Sequence, residues 1–242
     1  MMPSLLNSID AVLFDIGSTL IMGPSVSPTK EIAKHFGLSA EKALQVTRLV
    51  MCTDSQGPAD VCRTLQSAGV GVNQDDCEFV SRLWRDQETS ATAIEGGLET
   101  VRFFKESGKA IGLLSDIWPA YYRAFTRVCP EIDELAEVKQ LSFQVSLKKP
   151  EAAFFQSAIQ AFKTPPHRIL MVGDTYSNDI APAILQGMKT AWILSRADRE
   201  VPELVGVISG SLPRPDVTVG STLDLISAVK EEESSVYQST SG

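Results

Sequence analysis

The sequence predicts an α/β fold, a parallel sheet sandwiched between helical layers, with an all-helical block inserted after the first strand. Three observations carry this. From Gly96-Gly97 onward, short apolar runs alternate with helical segments, the pattern of βαβ crossovers. Two runs end in aspartate: Val12-Leu13-Phe14-Ile16 brackets Asp15, and Ile169-Leu170-Met171-Val172-Gly173 leads into Asp174. Buried strands of parallel sheets read as continuous apolar runs, and they deliver ligand-binding groups at their C-terminal ends. Between residues 23 and 92 the periodicity is helical, with no strand alternation.

Taken in order, Val12–Phe14 is the first strand, broken by Gly17-Ser18, and Gly23 to Pro28 is linker-like. Ser27 caps a helix with Pro28 in its first position and Gly37 at its end. Ser39-Ala40-Glu41-Lys42 opens a second, with Leu44, Val46, Leu49 and Val50 as its apolar positions. Pro58–Ala68 and Asp75–Gln87 form two more; Phe79, Val80, Leu83 and Trp84 give the last one apolar face. The alternating part comprises helix Leu98–Glu106, strand Ala110–Leu114, helix Pro119–Val128, strand Val138–Val145 and helix Glu151–Phe162. Strand Ile169–Val172, helix Ile180–Leu185, strand Thr190–Leu194, strand Val217–Val219 and helix Leu223–Val229 complete it. Residues 1–22 and 93–230 thus form the core, 23–92 a helical module, and the polar, Ser-rich 231–242 a disordered tail.

With 242 residues, 43% hydrophobic and 21% charged, the chain has the composition of a soluble globular protein. A net charge of −8 argues against a nucleic-acid partner bound through phosphates. No apolar stretch reaches the roughly 18–20 residues that span a bilayer, and the first ten residues lack a signal-peptide pattern, so a cytoplasmic location is expected. Cys52, Cys62, Cys77 and Cys129 form no Cys-x-x-Cys pair and are expected to be reduced structural thiols. The sequence carries no sign of oligomeric state.

Four groups follow strands: Asp15, Ser115, Lys149 and Asp174. In a parallel sheet these tips share one edge. A carboxylate nucleophile, a hydroxyl, an ammonium and a second acidic group make a phosphate-and-metal site. Two carboxylates approach a dianionic phosphate only with a cation between them, and oxygen-only ligands suit Mg²⁺. Lys149 and the hydroxyls of Ser115 and Thr19 are placed to hold the phosphate oxygens. Each aspartate alone also fits a helix N-cap; the combination favours chemistry.

Asp-x-x-x-Thr after a strand, Leu-Leu-Ser-Asp, Lys-Lys-Pro-Glu-Ala-Ala-Phe-Phe and Gly-Asp-Thr-Tyr-Ser-Asn-Asp-Ile, in this order, resemble the haloacid dehalogenase-like (HAD) hydrolase superfamily. The insert resembles the C1 cap of its phosphoglycolate-phosphatase-like branch. The resemblance covers about Leu6 to Val229. It implies a Rossmann-like core, a small phosphorylated substrate and Mg²⁺. It also implies Asp15 as nucleophile, Ser115 and Lys149 as phosphoryl-binding groups, Asp174 as the main acidic Mg²⁺ ligand and Asp179 as its supporting acid.

Gly17 takes the place of the family's second aspartate, whose carbonyl binds Mg²⁺ and whose side chain protonates the leaving group. Glycine keeps the first role and loses the second, a contribution of about 10²–10⁴-fold in rate. Slow turnover of alkyl phosphates relative to acyl or aryl ones is therefore expected. Ser18 stands where the family usually has glycine. Asp116, where the family usually has asparagine, is counted among the substrate-facing groups, either as a replacement acid–base or as a solvated carboxylate. Trp118, Tyr121 and Tyr122 fit either the site entrance or core–cap packing. Selectors of the leaving group are expected between Ile21 and Thr92, with the loop Thr53–Pro58 a weak candidate. Two other readings are a weakly active or non-catalytic binding relative, supported by Gly17, and a 2-haloacid dehalogenase-like hydrolase, disfavoured by the retained Asp174.

Overall fold

The computed structural model describes residues 4–230; the expected disordered tail, 231–242, lies outside the described residues. Six strands form one parallel sheet: β1 (Ala11–Phe14), β4 (Ala110–Ser115), β5 (Val138–Leu141), β6 (Ile169–Gly173), β7 (Lys189–Ile193) and β8 (Val217–Val219), in the order β5-β4-β1-β6-β7-β8. A two-stranded antiparallel ribbon pairs β2 (Ile21–Met22) with β3 (Thr92–Ala93).

Both sheet faces are buried, which is why the strands read as unbroken apolar runs. Val12 and Phe14 of β1, with Leu170 and Val172 of β6, pack against α6 (Gly97–Glu106) and α7 (Pro119–Val128) through Phe104 and Phe125. Ala11, Leu13, Ile169 and Met171 face the other way, onto Phe154, Phe155 and Ala158 of α10 (Ala152–Phe162) and Ala183 of α11 (Ala181–Leu185). Helix α1 (Leu5–Ser8) and the helix at 224–230, α13, close the first face.

The insert holds α2 (Pro28–His35), α3 (Ala40–Met51), α4 (Pro58–Ser67) and α5 (Gln74–Thr89); Ser27 and Ser39 cap the first two as the sequence signals, accepting from Lys30 and Lys42 N–H groups. Its core of Ile32, Val46, Val50, Leu65, Val80 and Trp84 includes Trp118 from the sheet domain, edge-on to Trp84 at 5.1 Å. Leu44, expected to be apolar-facing, is exposed.

Several expectations are corrected. The strand expected over Val138–Val145 stops at Leu141 and continues as a helical turn, α9 (Ser142–Val145). Periodicity alone cannot separate strand from helix in so short a run. The turn buries Phe143 and lets the Ser142 hydroxyl donate to Met51 O and accept from Ile117 N–H. The helix before Leu185 begins with a π-turn over Tyr176–Ile180. The entry and exit of the insert are strands, β2 and β3, too short at two residues each to show alternation. Helices α8 (Pro130–Leu135) and α12 (Val201–Ser209) were not foreseen.

Candidate active site

Register brings the strand ends together. Phe14 sits opposite Leu113 and Val172, so Asp15, Ser115 and Asp174 emerge at one edge of the three central strands. The Asp15 N–H donates to Val172 O at 2.9 Å, which carries the ladder one residue past β1. These groups line a cavity of about 620 Å³ between sheet and insert, with Gly17, Tyr121, Lys149, Asp179 and Arg196 also in its wall.

Lys149 is the electrostatic centre. Its Nζ donates to Asp15 Oδ1 at 2.6 Å and to Asp179 Oδ1 at 2.5 Å. Burial favours the neutral amine, but the charges of Asp15 and Asp179 outweigh it and hold Lys149 above the usual lysine range. Ser115 Oγ donates to the same Asp15 oxygen at 3.1 Å. Both donors therefore fix one oxygen of Asp15, and Oδ2 accepts no hydrogen bond among the described residues.

Asp116 is redefined by the geometry. It accepts the Lys149 N–H at 2.8 Å through Oδ1 and pairs with Lys148 Nζ at 3.2 Å through Oδ2. Although it lines the cavity and burial raises its pKa, both its oxygens are engaged in holding the lysine loop. Asp179 does not cap the helix that follows it. It reaches back, accepting from Thr175 N–H at 3.0 Å, and it can approach so closely because Gly173 has no side chain. Burial pushes Asp179 above the carboxylate range despite Lys149.

Thr19, expected to hold phosphate oxygens, is fully buried and is not part of the cavity wall; its hydroxyl has no partner among the described residues. Only its carbonyl is used, accepting from Thr222 Oγ1 at 2.8 Å. Of the three aromatic candidates, Trp118 and Tyr121 line the cavity, while Tyr122 packs on Phe125 and donates to Asp133 at 2.6 Å. Burial, aided by the charge of Asp15, raises Tyr121 above the usual phenol range. The insert contributes Lys30, Met51, Gln87 and the segment Gly23–Pro28 to the wall. The loop Thr53–Pro58 does not line the cavity; there, Gln56 O accepts from Arg123 Nη2 at 2.9 Å.

Sequence reasoning missed Arg196. Its guanidinium grips Asp174 Oδ2, with Nε at 2.7 Å and Nη2 closer. Arg196 lies just beyond β7, so the strand-end logic that picked out Asp15 and Asp174 would have found it one strand further along. Trp192 and Glu200 were missed too: Trp192 Nε1 donates to Asp174 O at 3.2 Å, and Glu200 accepts Tyr176 N–H at 2.8 Å, steadying the π-turn that carries Asp179.

Oxygens of Asp15, Asp174 and Asp179 lie within 4.8 Å of one another, and all three residues are buried. Among the described residues only Lys149 and Arg196 face these three carboxylates with ion pairs, which leaves negative charge uncompensated there. Burial, then the charge of Asp15, pushes Asp174 up to about 6 even with Arg196 attached. An all-oxygen, anionic, buried cluster fits a hard divalent cation. Gly17 lines the same cavity, and its carbonyl is not used by the hydrogen bonds that close the turn, which end on Ile16 O and Ile21 O. A Cβ on Gly17 would meet nothing nearer than Tyr121 Cε1 at 4.0 Å. The missing side chain therefore leaves room beside the cluster.

Comparison with known proteins places the fold and the family. A glyceraldehyde 3-phosphate phosphatase of Pyrococcus furiosus is 29% identical over 126 residues, 50% of this chain and 52% of the relative. The chain thus spans about half the length of such curated relatives. A HAD phosphatase from Thermococcus onnurineus shares the fold at a TM-score of 0.57 and 18% identity, over 91% of this chain and 98% of that one. A HAD family enzyme from Bacteroides thetaiotaomicron, in complex with magnesium and inorganic phosphate, does so at 0.55 and 17%, over 76% and 94%. No helix among the described residues is long and apolar enough to cross a membrane. The family model for haloacid dehalogenase-like hydrolases matches residues 9–187, and the chain belongs to that family.

Proposed function

We propose that the protein is a Mg²⁺-dependent phosphatase of a small phosphorylated metabolite, acting through an aspartyl-phosphate on Asp15. The observation that carries this reading is the asymmetry of Asp15: Ser115 and Lys149 hold Oδ1, and Oδ2 is left free at the cavity. A carboxylate fixed by one oxygen presents the other for in-line attack. Lys149 and Ser115 are then also the donors nearest the incoming phosphoryl oxygens. Asp15, Asp174 and the Gly17 carbonyl would hold Mg²⁺, with Asp179 supporting. Bound there, Mg²⁺ supplies charge cancellation for the phosphoryl group and polarises its oxygens. Asp116 acts by fixing Lys149 rather than by moving protons.

Residues 23–92 act as a cap over this edge, and the leaving group lies against Lys30, Met51, Gln87 and Tyr121. The phosphatase-named relatives support the phosphoryl reading. So does the acidic cluster, since halide displacement calls for no cation. The test is a panel of phosphate esters with Mg²⁺ or EDTA, run beside Asp15→Asn. Mg²⁺-dependent hydrolysis that the substitution reduces by at least about 10³-fold supports the reading, the scale expected for losing a catalytic nucleophile. Activity that survives Asp15→Asn refutes it.

A further inference from the structure

We propose that Tyr121 takes over the proton transfers for which Gly17 has no side chain; the assignment rests on the phosphatase reading above. Tyr121 lies in the cavity wall with Asp15 and Gly17. The edge of its ring borders the space that a longer side chain at 17 would enter, since Cε1 is the one heavy atom within 4 Å of a Cβ built there. Gly23 flanks the other side. A Cβ there would fall 2.6 Å from the Tyr121 ring and closer still to its hydroxyl, so the phenol is seated only because residue 23 is glycine. Two glycines on the chain leaving β1 thus frame one tyrosine.

The hydroxyl itself is the second observation. Tyrosine O–H groups removed from solvent are ordinarily paired. Tyr122 donates to Asp133 at 2.6 Å and Tyr176 to Pro213 O at 2.7 Å. Tyr121, half-buried, makes no hydrogen bond among the described residues. Four other polar side chains of this wall are engaged: Asp116 by Lys149 N–H and Lys148, Ser115 by Asp15, Arg196 by Asp174, and Lys149 by Asp15 and Asp179. A phenol carries its proton at neutral pH.

The steps balance. Asp15 Oδ2 bonds to phosphorus while the bond from phosphorus to the leaving oxygen breaks, and that oxygen takes the Tyr121 proton. Water then attacks the phosphorus of the aspartyl-phosphate, and the Tyr121 phenolate takes one of its protons. Asp15 departs as carboxylate and Tyr121 is restored. One ester and one water become one alcohol and one inorganic phosphate.

The experiment compares Tyr121→Phe with the unsubstituted chain, both with Mg²⁺, on glycerol phosphate and p-nitrophenyl phosphate. The alkyl ester needs its leaving oxygen protonated and the nitrophenyl ester does not. The expected loss in kcat/KM is about 100-fold for the alkyl ester and under about 3-fold for the aryl ester. Adding Gly17→Asp to Tyr121→Phe, for which the turn has room, should restore most of the alkyl rate. Equal losses on both esters, no loss on either, or a Tyr121→Phe defect that Gly17→Asp leaves uncorrected overturns the assignment. If Tyr121→Phe fails to fold, 3-fluorotyrosine at position 121, which keeps the shape and lowers the phenol pKa, decides: the pH above which the alkyl-ester kcat/KM falls should move down, and an unmoved limb overturns the assignment. Failure of the phosphatase reading looks different, because the unsubstituted chain would then hydrolyse neither ester.

Discussion

Gly173→Ala tests how the acidic cluster is assembled. Gly173 ends β6, and a Cβ there would lie 2.5 Å from Asp179 Cβ and Cγ and 2.6 Å from Oδ2. Carbon atoms pack at about 3.5–4.0 Å, so Asp179 must retreat by about 1 Å. It has nowhere easy to go. Its oxygens accept from Lys149 Nζ at 2.5 Å and Thr175 N–H at 3.0 Å, and its π-turn is held by Glu200. Overpacking a site of this kind costs about 1–3 kcal/mol, and a lost hydrogen bond to the carboxylate adds about 1.5–3 kcal/mol. A total of about 2.5–6 kcal/mol lowers the melting temperature of a chain this size by roughly 5–24 °C. The assay pairs thermal melting with Mg²⁺ titration by calorimetry, and weakened Mg²⁺ binding should accompany the lower melting point. A variant that melts within about 2 °C of the parent and binds Mg²⁺ equally well would refute the claim that this close approach fixes Asp179.

Two further outcomes follow from local geometry. Burial holds the Asp174 carboxyl near 6, and Asp179 also above its usual range, against about 4 in an unfolded chain. The native state thus keeps these protons to higher pH than the unfolded one, so the metal-free protein loses stability as pH rises from about 4 through 6. Mg²⁺ favours the charged forms, and its thermal shift should be larger at pH 8 than at pH 5; equal shifts would show that these carboxylates do not hold the ion. Ser18 has φ 62°, a left-handed conformation that costs a non-glycine residue about 1 kcal/mol or more. Ser18→Gly should raise the melting temperature by about 2–4 °C, whereas Ser18→Ala should not; a gain from both would point away from backbone strain.

Much of this site was legible because strand ends in a parallel sheet share an edge. Asp15, Ser115 and Asp174 needed only apolar runs and their last residues to be placed. Lys149 was placed by the same strand-end reasoning, although the strand expected to deliver it is half helix; what positions it is Asp116, through a backbone N–H that sequence cannot reveal. Thr19 was misassigned because a hydroxyl four residues after Asp15 suggests phosphate contact, yet the turn sends it into the core. Arg196 escaped notice since an arginine after a strand resembles any surface cation until it is seen against Asp174. Tyr121 was left between two roles for a related reason. Its seat depends on what Gly17 and Gly23 lack, and an absent side chain carries no signal about what fills its place.

The central claim is that Asp15 attacks phosphorus. Its most direct test is to quench the Mg²⁺-loaded protein in acid during turnover of a phosphate ester, reduce with borohydride, and map the peptide around residue 15 by mass spectrometry. An acyl phosphate on Asp15 is reduced to the corresponding alcohol, so homoserine at position 15 is the predicted result, absent when substrate is omitted. Phosphate released at full rate with Asp15 recovered only as aspartate would contradict the account.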